Sequence, residues 1–350
     1  METLSLKQAI KTNALEIGFD LVGVAPAGPF PEQHYFEQWL ARGYAGEMTY
    51  LLHGCEKRLD LRLVLPEVKS VVVCGLSYAT DFPYSISRKD PGRGWISRYA
   101  WGQDYHQVLL RKLQRLLERI QQLVGAKIAA KMYVDTGPIL ERVLAKYAGL
   151  GWWGKNTSLL NPRFGSWFFL GEILLDLELP ADEPMSDRCG TCRRCIDACP
   201  TGALVAPYVL DARRCIAYLT IESRSAIPLE LRPLLQNHIF GCDICQEVCP
   251  WNRKPQISSV NEFQPRDGFF NPDLAEFTQM VLRKFIGSFK GSPLRRSKQV
   301  GLLRNVAVAM GNSAELRFFP WLEMLTKHED ELVKEHACWA IETLQKVCQS

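Results

Sequence analysis

The sequence predicts an α/β domain, then a cysteine-rich domain and then a mainly helical region. Three observations predict this order. Helical patterns alternate with short apolar runs from residue 1 to about 180, and eight of the twelve cysteines fall between residues 189 and 249. Amphipathic helical patterns fill most of residues 257–350. A chain of 350 residues is long enough for two or three domains of this kind.

The composition excludes several classes of protein. Hydrophobic residues make up 47% and charged residues 23% of the chain, which is typical of a globular protein and not of a disordered or fibrous one. The formal net charge of +4 does not by itself indicate a nucleic-acid partner. We see no secretory signal and no apolar run near the ~20 residues of a membrane helix. We therefore expect a cytoplasmic protein with no membrane partner.

The first domain, predicted over residues 1–180, contains two strand patterns and one long helix pattern. Residues 71–78 (VVVCGLSY) are rich in β-branched residues and predict a buried strand in which Cys74 is a small buried hydrophobe. Residues 131–137 (KMYVDTG) predict a strand that ends at a Gly-Pro break. Residues 107–125 predict an amphipathic helix that stops at its last glycine.

Two motifs in this domain suggest functions that their context does not favour. Residues 149–155 (GLGWWGK) have Walker A spacing, but Asn156 stands where Ser or Thr is needed, and a helical pattern precedes the loop. The Asp104-Tyr-His106 triplet is similar to the start of motifs in which a histidine binds a corrinoid, but Leu109 stands where those motifs have glycine. An aspartate that starts a helix, followed by a surface histidine, is the favoured interpretation.

The cysteine framework lies in the second predicted domain, residues 181–256. Its first run, C-x2-C-x2-C-x3-C-P, matches the bacterial two-cluster ferredoxin pattern, in which the fourth cysteine binds the neighbouring cluster. The second run is C-x2-C-x3-C-P, with one more cysteine upstream. We therefore predict a ferredoxin-like domain with two 4Fe–4S clusters. The first takes Cys189, Cys192, Cys195 and Cys249, and the second takes Cys199, Cys215, Cys242 and Cys245.

Zinc is the main alternative for these cysteines. Eight cysteines could form two zinc sites, but three at x2 spacing followed by x3-C-P suit zinc poorly. Disulfides are less favoured in a reducing compartment. Cys55, Cys338 and Cys348 have no assignment. Two clusters in series carry electrons, so we expect the domain in front of them to hold the group that receives those electrons.

Five segments together resemble the epoxyqueuosine reductase family. They are DTGPILERVLAKYAGLGWWGKN (135–156), FGSWFFLGEIL (164–174), CGTCRRCIDACPTGAL (189–204), CIAYLTIESR (215–224) and GCDICQEVCPWN (241–252). The resemblance covers about residues 1–260. It implies an enzyme that reduces the epoxide of epoxyqueuosine in tRNA to queuosine. It also implies that electrons pass through the clusters to cobalamin, which the α/β domain binds without a protein histidine ligand.

The resemblance implies that Asp135 is the proton donor. A general acid would stabilise the alkoxide that epoxide opening leaves, and desolvation at a strand end would raise the pKa of this aspartate. The alternative is an aspartate that stabilises its own turn.

The cofactor contacts that we expect besides Asp135 fall into two groups. Around the cofactor pocket they are Arg58, Arg98, Lys155, Asn156, Thr157 and Ser158. Beside the ligands of the second cluster they are Ser223, Arg224 and Asp243. The two arginines around the pocket equally suit surface ion pairs. The adjacent tryptophans, Trp152 and Trp153, suit either the core or a cofactor wall.

A basic segment in the predicted helical region, residues 257–350, suggests contact with RNA. Residues 283–304 carry seven basic residues and no acidic one. We expect Phe285 and Phe289 to be available for base stacking. A solvated helix face is the alternative. The residues expected to contact tRNA are Arg283, Lys284, Arg295, Arg296 and Lys298.

The same region contains two similar helical patterns, at residues 295–313 and 331–347. Each has a core stripe that contains alanine, which predicts HEAT-like repeats. An ordinary helical cap is the alternative.

Two other functions stay open at this point. A corrinoid and iron–sulfur reductive dehalogenase shares the cofactor plan, but it would usually carry a twin-arginine export signal and would not need a basic segment. A plain iron–sulfur electron carrier would not need the large first domain. We expect a monomer that takes electrons from a ferredoxin, a flavodoxin or a similar donor.

Overall fold

The computed structural model of the chain describes residues 3–87 and 90–347. Cys348 therefore lies outside the described residues. The helices are α1 (Thr3–Ile17), α2 (Glu32–Ala41), α3 (Cys55–Leu59), α4 (Tyr105–Val124), α5 (Glu141–Tyr147), α6 (Arg194–Asp197), α7 (Ile216–Ile221), α8 (Ile244–Glu247), α9 (Leu274–Ser288), α10 (Lys298–Asn312), α11 (Phe319–Leu325) and α12 (Glu331–Val347). The strands are β1 (Leu21–Pro26), β2 (Ser70–Ser77), β3 (Trp95–Ile96), β4 (Ala130–Tyr133), β5 (Trp152–Trp153), β6 (Leu159–Leu160), β7 (Phe168–Leu175), β8 (Leu204–Ala206), β9 (Val209–Leu210) and β10 (His238–Phe240).

A four-stranded sheet forms the centre of the first domain. Its strand order is β1-β2-β7-β4, and each pair of neighbours is antiparallel. Strand β2 is buried along its whole length, with Val72, Cys74 and Leu76 in the core on one face. Val71 and Val73 belong to the core on the other face. A strand that is covered on both faces has a continuous apolar sequence, which is why it was predicted correctly. The burial of Cys74 is confirmed.

Helices cover both faces of this sheet. Helices α1 and α4 pack on one face, and α5 packs on the other. Helix α4 begins after Asp104, whose carboxylate accepts the backbone N–H of His106. It ends at Gly125, which has a left-handed φ of 71°. The predicted helix, residues 107–125, is thus confirmed with its start two residues earlier.

The edge strand β4 is shorter than its sequence pattern predicted. It ends at Tyr133 because Asp135 has a φ of 60°, a left-handed conformation that interrupts a strand. A Cβ on Gly137 would lie 2.5 Å from the ring of Tyr133, so only glycine permits this turn to fold back on the strand. The turn presents Asp135 between the end of β4 and the start of α5.

Residues from all three predicted domains pack together in one further hydrophobic cluster. Trp95 and Trp101 from the first domain pack in the same cluster as Phe240 of the cysteine-rich domain and Phe277 and Leu302 of the helical region. Strand β3 also pairs with β10 in a parallel arrangement. Burial of these large side chains is the main energetic link between the domains.

The helical region consists of α9 to α12. The second predicted pattern, residues 331–347, coincides with α12, and the first covers α10. A Cβ on Gly311 would lie 2.9 Å from Ala340, so these two helices approach closely at small residues. The HEAT-like arrangement stays a prediction. In the part of the chain that the structure describes, no helix is long and apolar enough to cross a membrane.

Candidate active site and cluster sites

A cavity of about 420 Å³ opens beside the turn that carries Asp135. Aromatic side chains form part of its wall, and charged or polar side chains form the rest. The aromatic residues include Tyr35, Trp39, Tyr50 and Trp153, and the polar ones include Arg58, Asp135, Glu141, Arg142 and Thr157. Walls of this mixed character suit a large ring with an apolar face and a polar edge. We call this the acid cavity.

Asp135 is held by three neighbours. The hydroxyl of Tyr105 donates to its Oδ2 at 2.5 Å, and Nε2 of His106 lies 3.7 Å from the same oxygen. The backbone N–H of Asp135 donates to the carboxylate of Glu141. The side chain is 62% exposed because it faces the open cavity. The acid is therefore both fixed in position and accessible to a ligand.

The pKa of Asp135 is lower than usual. Desolvation by the surrounding protein raises it, but the hydrogen bond from Tyr105 and the positive charges of His106 and Arg296 together lower it by more. The expectation of a raised pKa is therefore wrong. The prediction failed because Tyr105 and His106 in the first turn of α4 act on the carboxylate of Asp135, and both are distant from it in sequence.

Two further acids, Glu141 and Glu172, lie next to this turn. Glu172 on β7 is fully buried, and its carboxyl group faces that of Glu141. Burial, together with the nearby Glu141, raises the pKa of Glu172 well above its usual value. Burial and the charge of Asp135 raise the pKa of Glu141 to about 8. Both shifts favour the protonated forms of Glu141 and Glu172, whereas the pKa of Asp135 is lowered, so Asp135 holds a negative charge more readily than the other two.

Two of the other expected cofactor residues line the acid cavity. Arg58 does so while its guanidinium donates to the carbonyl oxygens of His53 and Gly54 at 3.3 and 3.4 Å. Thr157 does so from a left-handed conformation with a φ of 66°. Ser158, the next residue, does not line this cavity, and its backbone N–H donates to the side chain of Asn156.

Lys155 and Asn156 line a second cavity, of about 230 Å³, together with four cysteines. We call this the cysteine cavity. Nζ of Lys155 donates to the carbonyl oxygens of Gly190 and Cys192 at 2.5 and 3.0 Å. The side-chain amide of Asn156 donates to the carbonyl oxygen of Cys245 at 3.2 Å. The loop 154–158 therefore runs between the two cavities.

The structure places the four cysteines of the first predicted set around one cavity. The cysteine cavity is lined by Cys189, Cys192, Cys195 and Cys249. Burial and the neighbouring Cys249 and Cys189 together raise the pKa of Cys195 to about 11. Thiols that disfavour one another's ionisation fit a site where iron would neutralise them.

In the second set, too, neighbouring cysteines raise one another's pKa. Burial raises the pKa of Cys215, and Cys199 raises it further. Burial likewise raises the pKa of Cys242 and of Cys245, and each is raised further by the other cysteines nearby, including Cys215. Cys199, Cys215, Cys242 and Cys245 are free thiols, as are those of the first set. The two donor sets fit two clusters, and the binding of each cluster by these residues stays a prediction.

Arg98 and Asp243 lie away from the acid cavity. Asp243 is buried and accepts hydrogen bonds from Ser97 Oγ at 2.5 Å and from the backbone N–H of Arg98 at 2.7 Å. The guanidinium of Arg98 donates to the carbonyl oxygen of Thr80 at 3.0 Å and lies 4.6 Å from the ring centre of Trp101. Neither residue lines the acid cavity, and their polar groups join the first domain to the loop of the second cysteine set. Their contact with a cofactor stays a prediction.

Ser223 and Arg224 also have internal partners. The hydroxyl of Ser223 lies 3.4 Å from the carboxylate of Glu47, which accepts the backbone N–H of Arg224 at 2.7 Å. The guanidinium of Arg224 donates to the carbonyl oxygen of Arg296 at 2.6 Å. These residues do not line the acid cavity, but they connect the end of α7 to the basic segment.

The basic residues expected to contact RNA are exposed. They are Arg283, Lys284, Arg295, Arg296 and Lys298. Arg296 forms an ion pair with Glu222 at 2.7 Å, and its guanidinium lies 5.6 Å from the ring centre of Tyr50, which lines the acid cavity. The basic segment therefore reaches the mouth of that cavity.

The aromatic part of the RNA prediction is wrong at one position. Phe289 is fully buried and packs against Phe269 and Phe277, so it is not available to stack on a base. Phe285 is partly buried against the same core. The spacing of these aromatic residues suits helix packing as well as it suits base stacking, and the packing interpretation holds here.

Comparison with known proteins decides the family. Residues 188–252 match the family model described as 4Fe-4S double cluster binding domain, and residues 58–136 match the one described as epoxyqueuosine reductase QueG, DUF1730. The epoxyqueuosine reductase of Pseudomonas aeruginosa is 45% identical over 342 residues, which cover 96% of this chain and 94% of that protein. The chain belongs to the epoxyqueuosine reductase family. The resemblance drawn from the sequence motifs is confirmed, and the cluster-domain match supports iron–sulfur clusters in residues 188–252.

Two solved epoxyqueuosine reductases have the same fold. One is described as a complex with an epoxyqueuosine-modified tyrosine tRNA stem loop; its TM-score is 0.88 at 32% identity, over 99% of this chain and 94% of that one. The other, from Bacillus subtilis, is described as having a catalytic loop with an aspartate swung out of the active site. Its TM-score is 0.84 at 30% identity, over 99% of this chain and 94% of that one.

Sequence reasoning missed most of the surroundings of Asp135. The role of Asp104 as a helix cap is confirmed, but the interpretation of His106 as a surface residue is wrong, because its side chain is only 28% exposed and lies between Asp104 and Asp135. Glu141 and Glu172 gave no signal beyond acids in apolar surroundings. An Asp-x-His triplet at a helix start was the one available clue.

Proposed function

We propose that this chain reduces the epoxide of epoxyqueuosine in tRNA to queuosine. Electrons would pass from the two 4Fe–4S clusters to cobalamin in the acid cavity, and Asp135 would deliver a proton. The observation that carries the proposal is the position of the loop 154–158. Lys155 and Asn156 line the cysteine cavity, whereas Thr157 lines the acid cavity. An electron source and an acid on the two sides of one short loop are what a proton-coupled reduction requires.

The acid cavity fits the chemistry of cobalamin. Tyr50 and Trp153 offer apolar surface to a corrin face, and Arg58 and Thr157 offer polar groups to its amide edge. Bound cobalamin would supply a strongly reducing cobalt centre for the opening of the epoxide. No histidine is among the described residues that line the cavity.

Asp135 is suited to serve the oxygen of the substrate. It projects into the cavity from a turn fixed by Tyr105 and Glu141, so its carboxyl group can meet a leaving oxygen without reorganisation. Because the pKa of Asp135 is low, its proton has to come from a neighbour as the oxygen acquires charge. The hydroxyl of Tyr105 is nearer, but its pKa is raised well above the usual value, so His106, 3.7 Å away, is the better proton donor.

A tRNA substrate is supported by the position of the basic segment. Arg296 lies beside Tyr50 at the cavity mouth, and Arg295 and Lys298 are exposed next to it. A phosphate backbone held there would leave a splayed-out wobble base within reach of the acid cavity. We also propose a monomer that takes electrons from a ferredoxin, a flavodoxin or a similar protein.

The test is spectroscopic and then functional. Chain purified anaerobically and supplied with cobalamin should show visible and EPR signals of two 4Fe–4S clusters and a bound corrinoid. Incubation with a chemical reductant and epoxyqueuosine-containing tRNA should then convert that nucleoside to queuosine, as measured by mass spectrometry of the digested tRNA. A chain without bound corrinoid would instead be an electron carrier, and a corrinoid protein inactive on tRNA would point to a dehalogenase.

A further inference from the structure

The reaction needs more protons than one aspartate holds. Removal of an epoxide oxygen as water breaks two C–O bonds, forms two O–H bonds and a C=C bond, and consumes two electrons and two protons. Under the proposed function the electrons come from the clusters. Asp135 carries a single carboxyl group whose low pKa leaves it ionised at rest. A second group must therefore load it with a proton, and must do so twice in each turnover.

We propose that His106, held by Asp104, is the proton store that loads Asp135. His106 Nδ1 lies 2.7 Å from Oδ1 of Asp104, and Nε2 lies 3.7 Å from Oδ2 of Asp135. The imidazole thus stands between two carboxylates, with one nitrogen directed at each. The inference rests on the proposed function, because it concerns the protons of that reaction.

Asp104 fixes the imidazole from a rigid position. Its carboxylate caps α4 by accepting the backbone N–H of His106 at 3.1 Å, and the same oxygen faces Nδ1. The imidazole also stacks on the ring of Tyr105, with 4.1 Å between the ring centres. A histidine held in this way keeps Nδ1–H toward Asp104 and leaves Nε2 toward Asp135. The fold therefore orients the imidazole so that it can pass its Nε2 proton toward Asp135.

The charges around His106 keep it protonated. Burial lowers its pKa, but the hydrogen bond to Asp104 and the negative charges of Asp104 and Asp135 outweigh burial and raise the pKa to about 9. The other titratable groups that face it are Tyr105 and Glu141, whose own pKa values are raised. At neutral pH, His106 is therefore protonated in most molecules.

The transfer balances without a further reagent. As the substrate oxygen acquires negative charge, the Nε2–H bond of His106 breaks and a proton passes through the Asp135 carboxylate to that oxygen. The developing negative charge drives the transfer, because Asp135 alone is a stronger acid than the imidazolium. Each transfer leaves a neutral imidazole, the Asp135 carboxylate and one new O–H bond on the substrate oxygen. His106 is 28% exposed, so water can protonate it again before the second transfer. Tyr105 keeps its hydrogen bond to Asp135 throughout.

The test separates protonation from turnover. ¹⁵N NMR of holoenzyme with oxidised clusters would follow the imidazoles over pH; the chain has six histidines, so His106 is identified by the signal that His106→Asn lacks. We expect it to titrate near pH 9, and to titrate closer to 6.5 in Asp104→Asn, since Asn caps the helix as well as Asp but carries no charge. A His106 that titrates near 6.5 in the unaltered enzyme would overturn the proposal.

Kinetics provide the second arm. The turnover number should fall as the pH rises through about 9, because the store is protonated only below its pKa. Asp104→Asn should move that fall to lower pH, and His106→Asn should lower kcat roughly 10²-fold with little change in KM for tRNA. His328→Asn, in the helical region, is the matched control. If the unaltered enzyme is active and His106→Asn is equally active, only this inference is refuted. If the unaltered enzyme is inactive on tRNA, the proposed function is refuted as well.

Discussion

Arg296 lies close enough to Asp135 for its positive charge to lower the pKa of the aspartate carboxyl. The arginine belongs to the C-terminal helical region and the aspartate to the first domain, so the fold brings together two groups that are distant in sequence. The ion pair of Arg296 with Glu222 and its contact with Tyr50 hold it at the cavity mouth. The surface proposed for tRNA and the proposed acid are therefore parts of one site.

Reversal of the charges of Arg295, Arg296 and Lys298 should weaken tRNA binding. Each phosphate contact that is lost should reduce the slope of log K against log salt by about one. We expect the triple variant to lose most of its salt dependence in an equilibrium binding assay. Because Arg296 also acts on Asp135, this variant should in addition have a higher Asp135 pKa.

The control for that experiment is Lys327→Glu combined with Lys346→Glu, two exposed residues of the helical region outside the basic segment. This variant should bind tRNA with nearly unchanged salt dependence. Equal affinities of the triple variant and the unaltered chain over the salt range would exclude the basic segment as a tRNA surface.

Single cysteine substitutions should separate the two clusters. Cys249→Ser should remove the cluster whose other ligands lie at residues 189–195, and Cys199→Ser should remove the other cluster, because each run lends one ligand to its neighbour. Each variant should retain about half of the iron and acid-labile sulfide.

Cys338→Ser is the matched control, since Cys338 is exposed and outside both sets, and it should retain all of the iron. If Cys199→Ser instead destroyed the cluster bound at residues 189–195 and spared the other, the crossed ligand assignment would be wrong. EPR of the reduced variants, together with the iron content, measures this.

Glu141 should matter as a hydrogen-bond acceptor and not as a charge. Its carboxyl accepts the backbone N–H of Asp135 and so supports the left-handed turn, which is costly for a residue other than glycine. Glu141→Gln keeps an acceptor oxygen and should retain most activity. Glu141→Ala should lower kcat by about five- to tenfold, as expected for the loss of one hydrogen bond. Equal single-turnover rates for the two variants would show that this bond does not position Asp135.

The sequence predicted the elements whose patterns are local. Strand β2 and helix α4 follow from a continuous apolar run and from a 3.6-residue period with caps at both ends. The two cysteine sets follow from spacing, since a cubane cluster limits how far apart its ligands can be. In each case the physical constraint acts over a few residues or through one inorganic group.

The surroundings of Asp135 could not be predicted, because they depend on tertiary contacts. Tyr105 and His106 reach it from a helix thirty residues earlier, and they reverse the direction of its pKa shift. Lys155 and Thr157 are two residues apart but line different cavities, which only the path of their loop decides. Arg98 is buried against aromatic rings away from the acid cavity, which its sequence context did not indicate, and its expected contact with a cofactor stays a prediction.

The most direct test of the account is turnover by Asp135→Asn. Asparagine has nearly the same shape and cannot deliver the proton, so iron and cobalamin contents should equal those of the unaltered chain while queuosine formation falls by more than about 10²-fold. Asp267→Asn, which changes an exposed acid, should remain fully active. Near-normal queuosine formation by Asp135→Asn, with both cofactors bound, would contradict the assignment of Asp135 as the proton donor.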